Sequence, residues 1–394
     1  RWLLVDSNAG EVIPKEYWYE GNENLYTCQR TPMKSSYIEF PDWKRIRKND
    51  LLLTRNGTPY IHTPETGAIY SNVVQRISLN DKCEKMYVKY VLDTAAQSMS
   101  GFGDIIESFN MEVWKDTHIP LPPLSTQSRI VEFLDDRVGK IDSLIAEKSN
   151  FVDLLKEKRK VLISETVTMG IPSKRDNREY KDSGITWIGN IPKEWVVKKI
   201  KQVANVKSSK RVFEDDYRED GVPFYRSKEI VNLSKNNPIK TEIFISHQLF
   251  NDMRSKYGVV QSGDILLTSI GTIGQTWISD GREFWYKDGN ITQIVSNSKF
   301  SSKFLNYCFG SELIRIQYDL LSDGSTLNAL TIEKIKEIIF TFPTLAEQVE
   351  IASYLDIETS RIDSLISETS KSIELLKEYK KVLISEVVTG KRRV

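Results

Sequence analysis

Two stretches of the chain carry the same long pattern of apolar and polar positions. In the first, Leu134, Ile141, Leu155 and Leu162 fall at multiples of seven, and Leu144 and Ile145 add a neighbouring stripe position. In the second, Leu355, Ile362, Leu376 and Leu383 repeat the spacing, with Leu365 and Ile366 beside them. Charged residues fill the positions between, and neither run contains an internal proline. Sustained sevenfold spacing predicts long helices with a coiled-coil seam. Its expected core residues are Leu134, Ile141, Leu144, Leu155 and Leu162 on one helix, and Leu355, Ile362, Leu365, Leu376 and Leu383 on the other.

The two stretches are copies. Pro122–Thr168 and Pro343–Thr389 align without a gap at an offset of 221 positions, so that Gln127 matches Gln348 and Asp142 matches Asp363. Each begins just after proline, and Thr344-Leu-Ala-Glu347 fits a capping box for the free N–H groups of the first turn. Each ends at glycine, Gly170 with Pro172 beyond and Gly390, as expected where a left-handed residue closes a helix. Some 45 residues make a rod of about 65 Å. A stripe that long needs cover, and its equal lies in the same chain. The copies are therefore expected to pack on each other, antiparallel if a twofold relates them.

Before each helix lies a block with short apolar runs. Residues 1–121 form the first, in which Asn49-Asp-Leu-Leu-Leu-Thr-Arg-Asn-Gly-Thr58 reads as a buried strand entering a glycine turn. Tyr70–Leu79 reads as a strand, Lys85–Met99 as a helix and Asp116–Leu121 as a closing strand. Residues 185–342 form the second block. Its Gly263-Asp-Ile-Leu-Leu-Thr-Ser-Ile-Gly-Thr272 matches the first block's strand and turn at an offset of 214. A strand at Ile291–Ser296, a helix at Lys303–Leu320 and Ile335–Phe342 follow in the same order. Residues 172–184, polar and unpatterned, read as a linker. The first block's opening segment looks missing, with Val5–Asn8 corresponding to Val203–Val206. The fold class is thus α+β: two similar mixed α/β domains joined by two long helices (residues 122–171 and 343–394) in an antiparallel coiled coil.

Composition narrows the function by exclusion. The chain has 394 residues and a net charge of +1, with no apolar run long enough to span a bilayer. The segments carry net charges of −2 (1–121), 0 (122–171), +4 (172–342) and −1 (343–394). Basic residues gather only locally, at Lys44-Arg45-x-Arg47-Lys48, Lys198-Lys199-x-Lys201 and Lys207-x-x-Lys210-Arg211. Cys28, Cys83 and Cys308 lack metal-type spacing and suit a reduced, cytoplasmic protein. His62, His118 and His247 are isolated, so neither a metal site nor a catalytic constellation is expected. No phosphate-cradling G-x-x-x-x-G-K-[ST] loop occurs, and Gly101-Phe-Gly103-Asp104 does not open a βαβ unit. The chain reads as one that binds and positions, with catalysis left to partners.

These features together resemble the specificity (S) subunit of type I restriction–modification enzymes. The resemblance rests on the two strand–turn motifs and on Ile119-Pro-Leu-Pro-Pro-Leu-x-x-Gln127 with Phe342-Pro-Thr-Leu-x-Glu-Gln348. It rests also on Lys181-Asp-Ser-Gly-x-x-Trp-Ile-Gly-x-Ile-Pro-x-x-Trp195, and it covers essentially the whole chain. Departures are the missing opening of block one and the Phe-Thr-Phe-Pro343 form of the proline turn. The resemblance implies that each block is a target recognition domain reading one half of an asymmetric, split site in double-stranded DNA. It implies that the helices set the spacing, with half-sites about one helical turn (34 Å) apart. It implies two methyltransferase (M) subunits that use S-adenosylmethionine to methylate adenine N6, and restriction (R) subunits that bring ATP and Mg. No cofactor is expected on this chain.

The glycine turns are the expected DNA contacts: Thr54, Arg55, Asn56 and Thr58 in block one, and Ser269, Thr272, Gln275 and Thr276 in block two. Arg and Gln suit guanine and adenine edges. Arg30, Lys34, Arg226 and Lys228, in polar segments after short strands, are second choices. The alternative is a coiled-coil adaptor that holds protein partners without reading DNA.

Overall fold

The computed structural model describes residues 4–56, 58–97, 114, 118–322 and 330–394. They fall into two compact units, one of residues 1–150 with 369–394 and one of residues 151–368.

In the first unit, β1 (Leu4–Ala9), β4 (Asp50–Thr54), β5 (Ile61–His62) and β7 (Val74–Leu79) form an antiparallel sheet in the order β1-β7-β4-β5. A smaller sheet, β3-β2-β6, is built from β2 (Trp18–Tyr26), β3 (Met33–Ser35) and β6 (Ile69–Tyr70). The Leu51-Leu52-Leu53 run shows why alternation is absent from β4. Leu51 and Leu53 enter the core beneath helix α1 (Lys85–Ala96), whereas Leu52 enters a second core with Leu25, Ile69 and Val74. Both faces of the strand are covered, so all three positions must be apolar.

The second unit repeats this plan. β11 (Asn205–Lys207), β15 (Ile265–Thr268), β16 (Thr276–Ile278) and β18 (Ile291–Val295) give the order β11-β18-β15-β16. Ile265 and Leu267 face one core and Leu266 another. A second sheet, β12-β14-β13-β17, comprises β12 (Tyr217–Arg218), β13 (Val222–Tyr225), β14 (Phe244–Ile245) and β17 (Trp285–Tyr286). The parallel pair β2–β6 finds its equal in β13–β17, with Tyr26 beside Tyr70 and Tyr225 beside Tyr286. Helices α3 (Ser227–Ser234) and α4 (His247–Tyr257) have no counterpart among the described residues of the first unit.

The strand registers correct one alignment. Ser7 opposes Ile77 as Val206 opposes Ile294, so Asn8 corresponds to Lys207 rather than Val206. Several elements also differ from the sequence reading. Tyr70–Leu79 is two strands, and Lys303–Leu320 is two helices, α5 (Ser302–Phe309) and α6 (Glu312–Ser322), broken at Gly310. Ile335–Phe342 is the end of helix α7 (Ile332–Glu337) followed by β19 (Ile339–Phe342), which pairs with β10 (Val196–Lys199). Helix α1 is described to Ala96, residues 118–121 are not a strand, and Gly101–Asp104 lie outside the described residues.

The 172–184 stretch, read as a linker, carries regular structure. β8 (Tyr180–Asp182) pairs with β9 (Asn190–Pro192), and the chain then buries Trp195 completely. Trp195 Nε1 donates to Glu347, and Arg178 pairs with the same carboxylate. This occupies the Glu347 side chain, so only half of the expected capping box forms: the Glu347 N–H donates to Thr344 Oγ1.

The long helices run Leu124–Met169 (α2) and Leu345–Val388 (α8) and end at Gly170 and Gly390, both with positive φ. They pack antiparallel within each unit. In the first, Leu134 and Ile141 share a core with Leu383, Ile384 and Val387; in the second, Ile163 and Val167 share one with Ile351 and Leu355. Lys380 donates to Asp142 at 2.7 Å in the first unit, and Arg159 pairs with Asp363 at 2.9 Å in the second. Exchange of the two helices turns one ion pair into the other. Buried glutamines join each long helix to its own domain. Gln127 Oε1 accepts from the Glu84 N–H at the start of α1, and Gln348 Oε1 accepts from the Ser301 N–H at the start of α5. Tyr90 donates to Asp135 and Tyr307 to Asp356, again at equivalent positions.

The expected seam needs one correction. Leu134, Ile141, Leu155, Leu355, Ile362 and Leu383 are buried, and the partly buried Leu162 and Leu376 pack against the cores. Leu144 and Leu365, however, are 45% and 44% exposed. Burial along α2 runs through Ile130, Leu134, Val138, Ile141, Val152, Leu155, Ile163 and Val167, the mean advance of a straight helix. A straight helix drifts about 20° per heptad against a strict sevenfold repeat. The drift carries Leu144 outward and leaves Ile145 against the core.

The Leu355→Ala substitution is therefore expected to cost about 2–5 kcal/mol, as fully buried leucines do. Leu365→Ala is expected to cost no more than about 0.5 kcal/mol. Denaturant unfolding of the two variants measures the contrast.

Candidate nucleic-acid interface

Each unit presents one hairpin built on a buried threonine. In the first, Thr54 Oγ1 donates to the Thr58 carbonyl at 3.2 Å and accepts from the Tyr60 N–H at 2.9 Å. In the second, Thr268 Oγ1 donates to the Thr272 carbonyl and accepts from the Gln275 N–H at 3.0 Å. The second turn is one residue longer. Gly274 takes up the extra step at φ +83°, and a Cβ there would lie 2.6 Å from the Tyr318 ring. A left-handed backbone pressed against a ring leaves glycine the one residue that fits.

The same hydroxyl clamp thus displays different side chains. Thr54 is buried and holds the turn, and Thr58 is exposed. Arg55 and Asn56 are half-buried beside the tip, and an Arg55 guanidinium N–H donates to the Asn72 carbonyl at 3.2 Å. Trp114 Nε1 donates to the Thr54 carbonyl, closing the hairpin from its inner side. In the second unit Ser269 is buried, its hydroxyl 2.8 Å from that of Thr292, which ties the start of the turn to β18. Thr272 is exposed, and Gln275 and Thr276 are half-buried.

In the first unit the loop after β2 lies against this hairpin. His62 Nε2 is 3.1 Å from the Thr27 carbonyl, and the Arg30 guanidinium sits 5.5 Å from the centre of the Tyr60 ring. Arg30, from the second group of sequence candidates, is thereby brought beside the tip that carries Arg55 and Asn56. Lys34, exposed in β3, stands apart from these contacts. Arg226 and Lys228 are committed elsewhere. Arg226 binds Glu229 and Glu242, and Lys228 also binds Glu242. Arg226, then Lys228, holds the Glu242 carboxyl down to about 2. Both cations are tied to the start of α3 and its neighbouring loop.

Arg76 was not among the residues expected from the sequence. It is fully buried in β7, where it donates to Asp6 at 2.5 Å and to the Lys44 and Arg45 carbonyls. Gln293 stands at the equivalent place in the second unit and donates to Asp264. An alternating strand with one charge in its middle is a signal of a buried ion pair, and only the neighbouring strands supply the partner. In the basic cluster at 44–48, Lys44 is likewise paired to Glu11 and Arg45 to Glu23. Lys199 and Lys201 both pair with Glu337. Among the described residues, no group of His, Cys, Asp and Glu could hold a metal ion, and no helix is long and apolar enough to cross a membrane.

Two similar α/β units, each carrying one hairpin of the same build and each pinned to an antiparallel helix pair, define a duplicated recognition protein. The family profile described as "Type I restriction modification DNA specificity domain" matches residues 4–152 and 192–375. The chain belongs to that family, and is a DNA-recognition subunit of a type I restriction–modification complex; in this family the specificity subunit recognises and does not catalyse. It is 26% identical to the type I restriction enzyme MjaVIII specificity subunit of Methanocaldococcus jannaschii, over all of this chain and 89% of that protein. It is 22% identical to the EcoBI specificity subunit of Escherichia coli, over 94% of this chain and 77% of that one. The HsdS subunit of Thermoanaerobacter tengcongensis shares the fold, with a TM-score of 0.51 at 17% identity over 88% of this chain and 82% of its own. A chain from a structural study of type I R-M complex assembly and conformational transition does so with a TM-score of 0.66, over 88% of this chain and 83% of its own.

His62 supplies a pH signature of the first hairpin's support. Burial outweighs the Thr27 contact and lowers its pKa to about 4 from an ordinary 6.5. The unfolded chain binds the proton first, so stability is full above about pH 6.5 and is lost as pH falls towards 4, by up to ~3 kcal/mol. Unfolding titrations between pH 7 and 4 are expected to show this loss in the unaltered chain and a flatter profile in His62→Gln.

Proposed function

We propose that each unit reads one half of an asymmetric, bipartite site in double-stranded DNA through its threonine-clamped hairpin. The observation that carries this reading is the pairing of one scaffold with two different tips. Arg55, Asn56 and Thr58, with Arg30 beside them and Lys34 further along β3, serve the first half-site. Thr272, Gln275 and Thr276 serve the second. Thr54 shapes the first turn from beneath, Ser269 ties the second to β18, and Arg226 and Lys228 brace the second domain. An arginine reads guanine and a glutamine reads adenine in the major groove, so the tips suit different sequences.

The helix pair sets the spacing between the two half-sites. It also docks the partners that do the chemistry. Leu154 and Val161 on α2 are exposed, and so are their equivalents Leu375 and Val382 on α8. Leu144 and Leu365 add a further matched pair. Exposed apolar side chains repeated at equivalent positions are more than scattered surface leucines, and they fit two copies of one partner. Two methyltransferase subunits, each binding S-adenosylmethionine, would methylate adenine N6 in a base turned out of the duplex. Restriction subunits would bring ATP and Mg to the same assembly. The reduced cytoplasm suits the three free cysteines.

The adaptor alternative gains nothing from two dissimilar hairpins on one clamp. Replacement of residues 172–342 by the corresponding segment of another specificity subunit separates the two. Methylation mapping in cells is expected to return a motif with one half changed and the other intact. Change in both halves, or in neither, would sink the modular reading.

A further inference from the structure

The second unit holds a basic recess that its hairpin does not explain. A cavity of about 290 Å³ opens between the end of β11, the Ser208–Lys210 loop and the end of α4, lined among others by Lys207, Lys210 and Tyr257. A neighbouring recess of about 360 Å³ shares the Ser208–Ser209 wall and reaches Ile270 at the hairpin tip. The loop is held rigidly. Ser209 donates to the Tyr286 carbonyl at 2.6 Å, and Trp285 Nε1 donates to the Lys210 carbonyl at 3.0 Å.

Lys207 and Lys210 make no ion pair with a carboxylate among the described residues, whereas Arg211 beside them is paired with Asp288. The Lys210 ammonium lies 5.9 Å from the centre of the Tyr257 ring, which is half exposed. Two uncommitted ammonium groups beside a half-exposed tyrosine, on a loop fixed from below, make a receptor for an anionic chain with flat groups attached. The strand registers make Asn8 the first unit's equivalent of Lys207, so that unit's counterpart of this loop is Ala9-Gly10-Glu11, and there Glu11, in the place of Lys210, is paired with Lys44. The basic recess therefore belongs to one domain.

We propose that this recess is a DNA-backbone anchor of the second domain. Lys207 and Lys210 each receive a phosphate, and Tyr257 packs against the sugar or base between them. The hairpin tip alongside is thereby held in register on its half-site. This rests on the DNA-reading role above and adds a site of positioning rather than of base selection.

The test uses the chain assembled with its methyltransferase subunits. Binding is measured by anisotropy between 50 and 200 mM salt, on a duplex with the mapped motif and on one with the second half-site scrambled. Each lost phosphate contact lowers the slope of log affinity against log salt by about 0.9. The Lys207→Gln/Lys210→Gln double variant is expected to lower it by about 1.8. Its affinity deficit then shrinks roughly ten-fold across that salt range, and is the same on both duplexes. Tyr257→Leu is expected to weaken binding at an unchanged slope. Melting curves matching the unaltered chain confirm folding. An unchanged slope in the double variant, or a deficit confined to the mapped motif, overturns the anchor while leaving the hairpin reading intact. Salt-insensitive binding by the unaltered complex overturns both.

Discussion

An amphipathic helix of this length cannot leave its apolar face in water, and that constraint organises the chain. Burial is worth about 25 cal/mol per Å² of apolar surface, so two such stripes in one chain find each other. Antiparallel packing follows from which residues share a core. Leu134 and Leu383 share a core in one unit, and Leu355 and Ile163 share one in the other. The ion pairs Asp142–Lys380 and Arg159–Asp363 obey the same exchange. Surface pairs of this kind contribute little energy, but they penalise a shifted register by leaving like partners unmatched.

The domains are attached to this frame by polar contacts that permit little play. A buried amide such as Gln127 or Gln348 must satisfy its donors and acceptors, and each does so with backbone groups at a helix start and with the proline turn before its own helix. Buried polar groups have strict geometry where apolar contacts would slide. The duplication thus preserves what orients a domain and frees what the domain displays. Thr54 and Thr268 are the same residue in the same bond pattern, and the residues just beyond them differ.

The repeat, the helix ends at glycine and the paired β-strand motifs were legible in the sequence because each is set locally or by direct comparison. The exposure of Leu144 and Leu365 was not, since a sevenfold pattern leaves open whether the helices supercoil enough to keep it on one face. The half-formed cap at Glu347 escaped notice because Trp195 and Arg178, far away in sequence, claim that carboxylate. Thr54 and Ser269 read as surface contacts until the strand pairing buried them. Arg76, Arg226 and Lys228 show the same limit for charges. A cation's partner lies on another strand or loop, so a run of basic residues says little about which remain available. Lys207 and Lys210 emerge only once the committed cations are subtracted.

The central claim is that the helix pair measures the gap between half-sites. It is tested most directly by inserting seven residues at equivalent points of α2 and α8, followed by methyladenine mapping in cells. Seven helical residues add about 10 Å, up to about three base pairs at 3.4 Å each. Both half-motifs are expected to persist with a longer spacer between them. The same two half-motifs at the original spacing would contradict the claim.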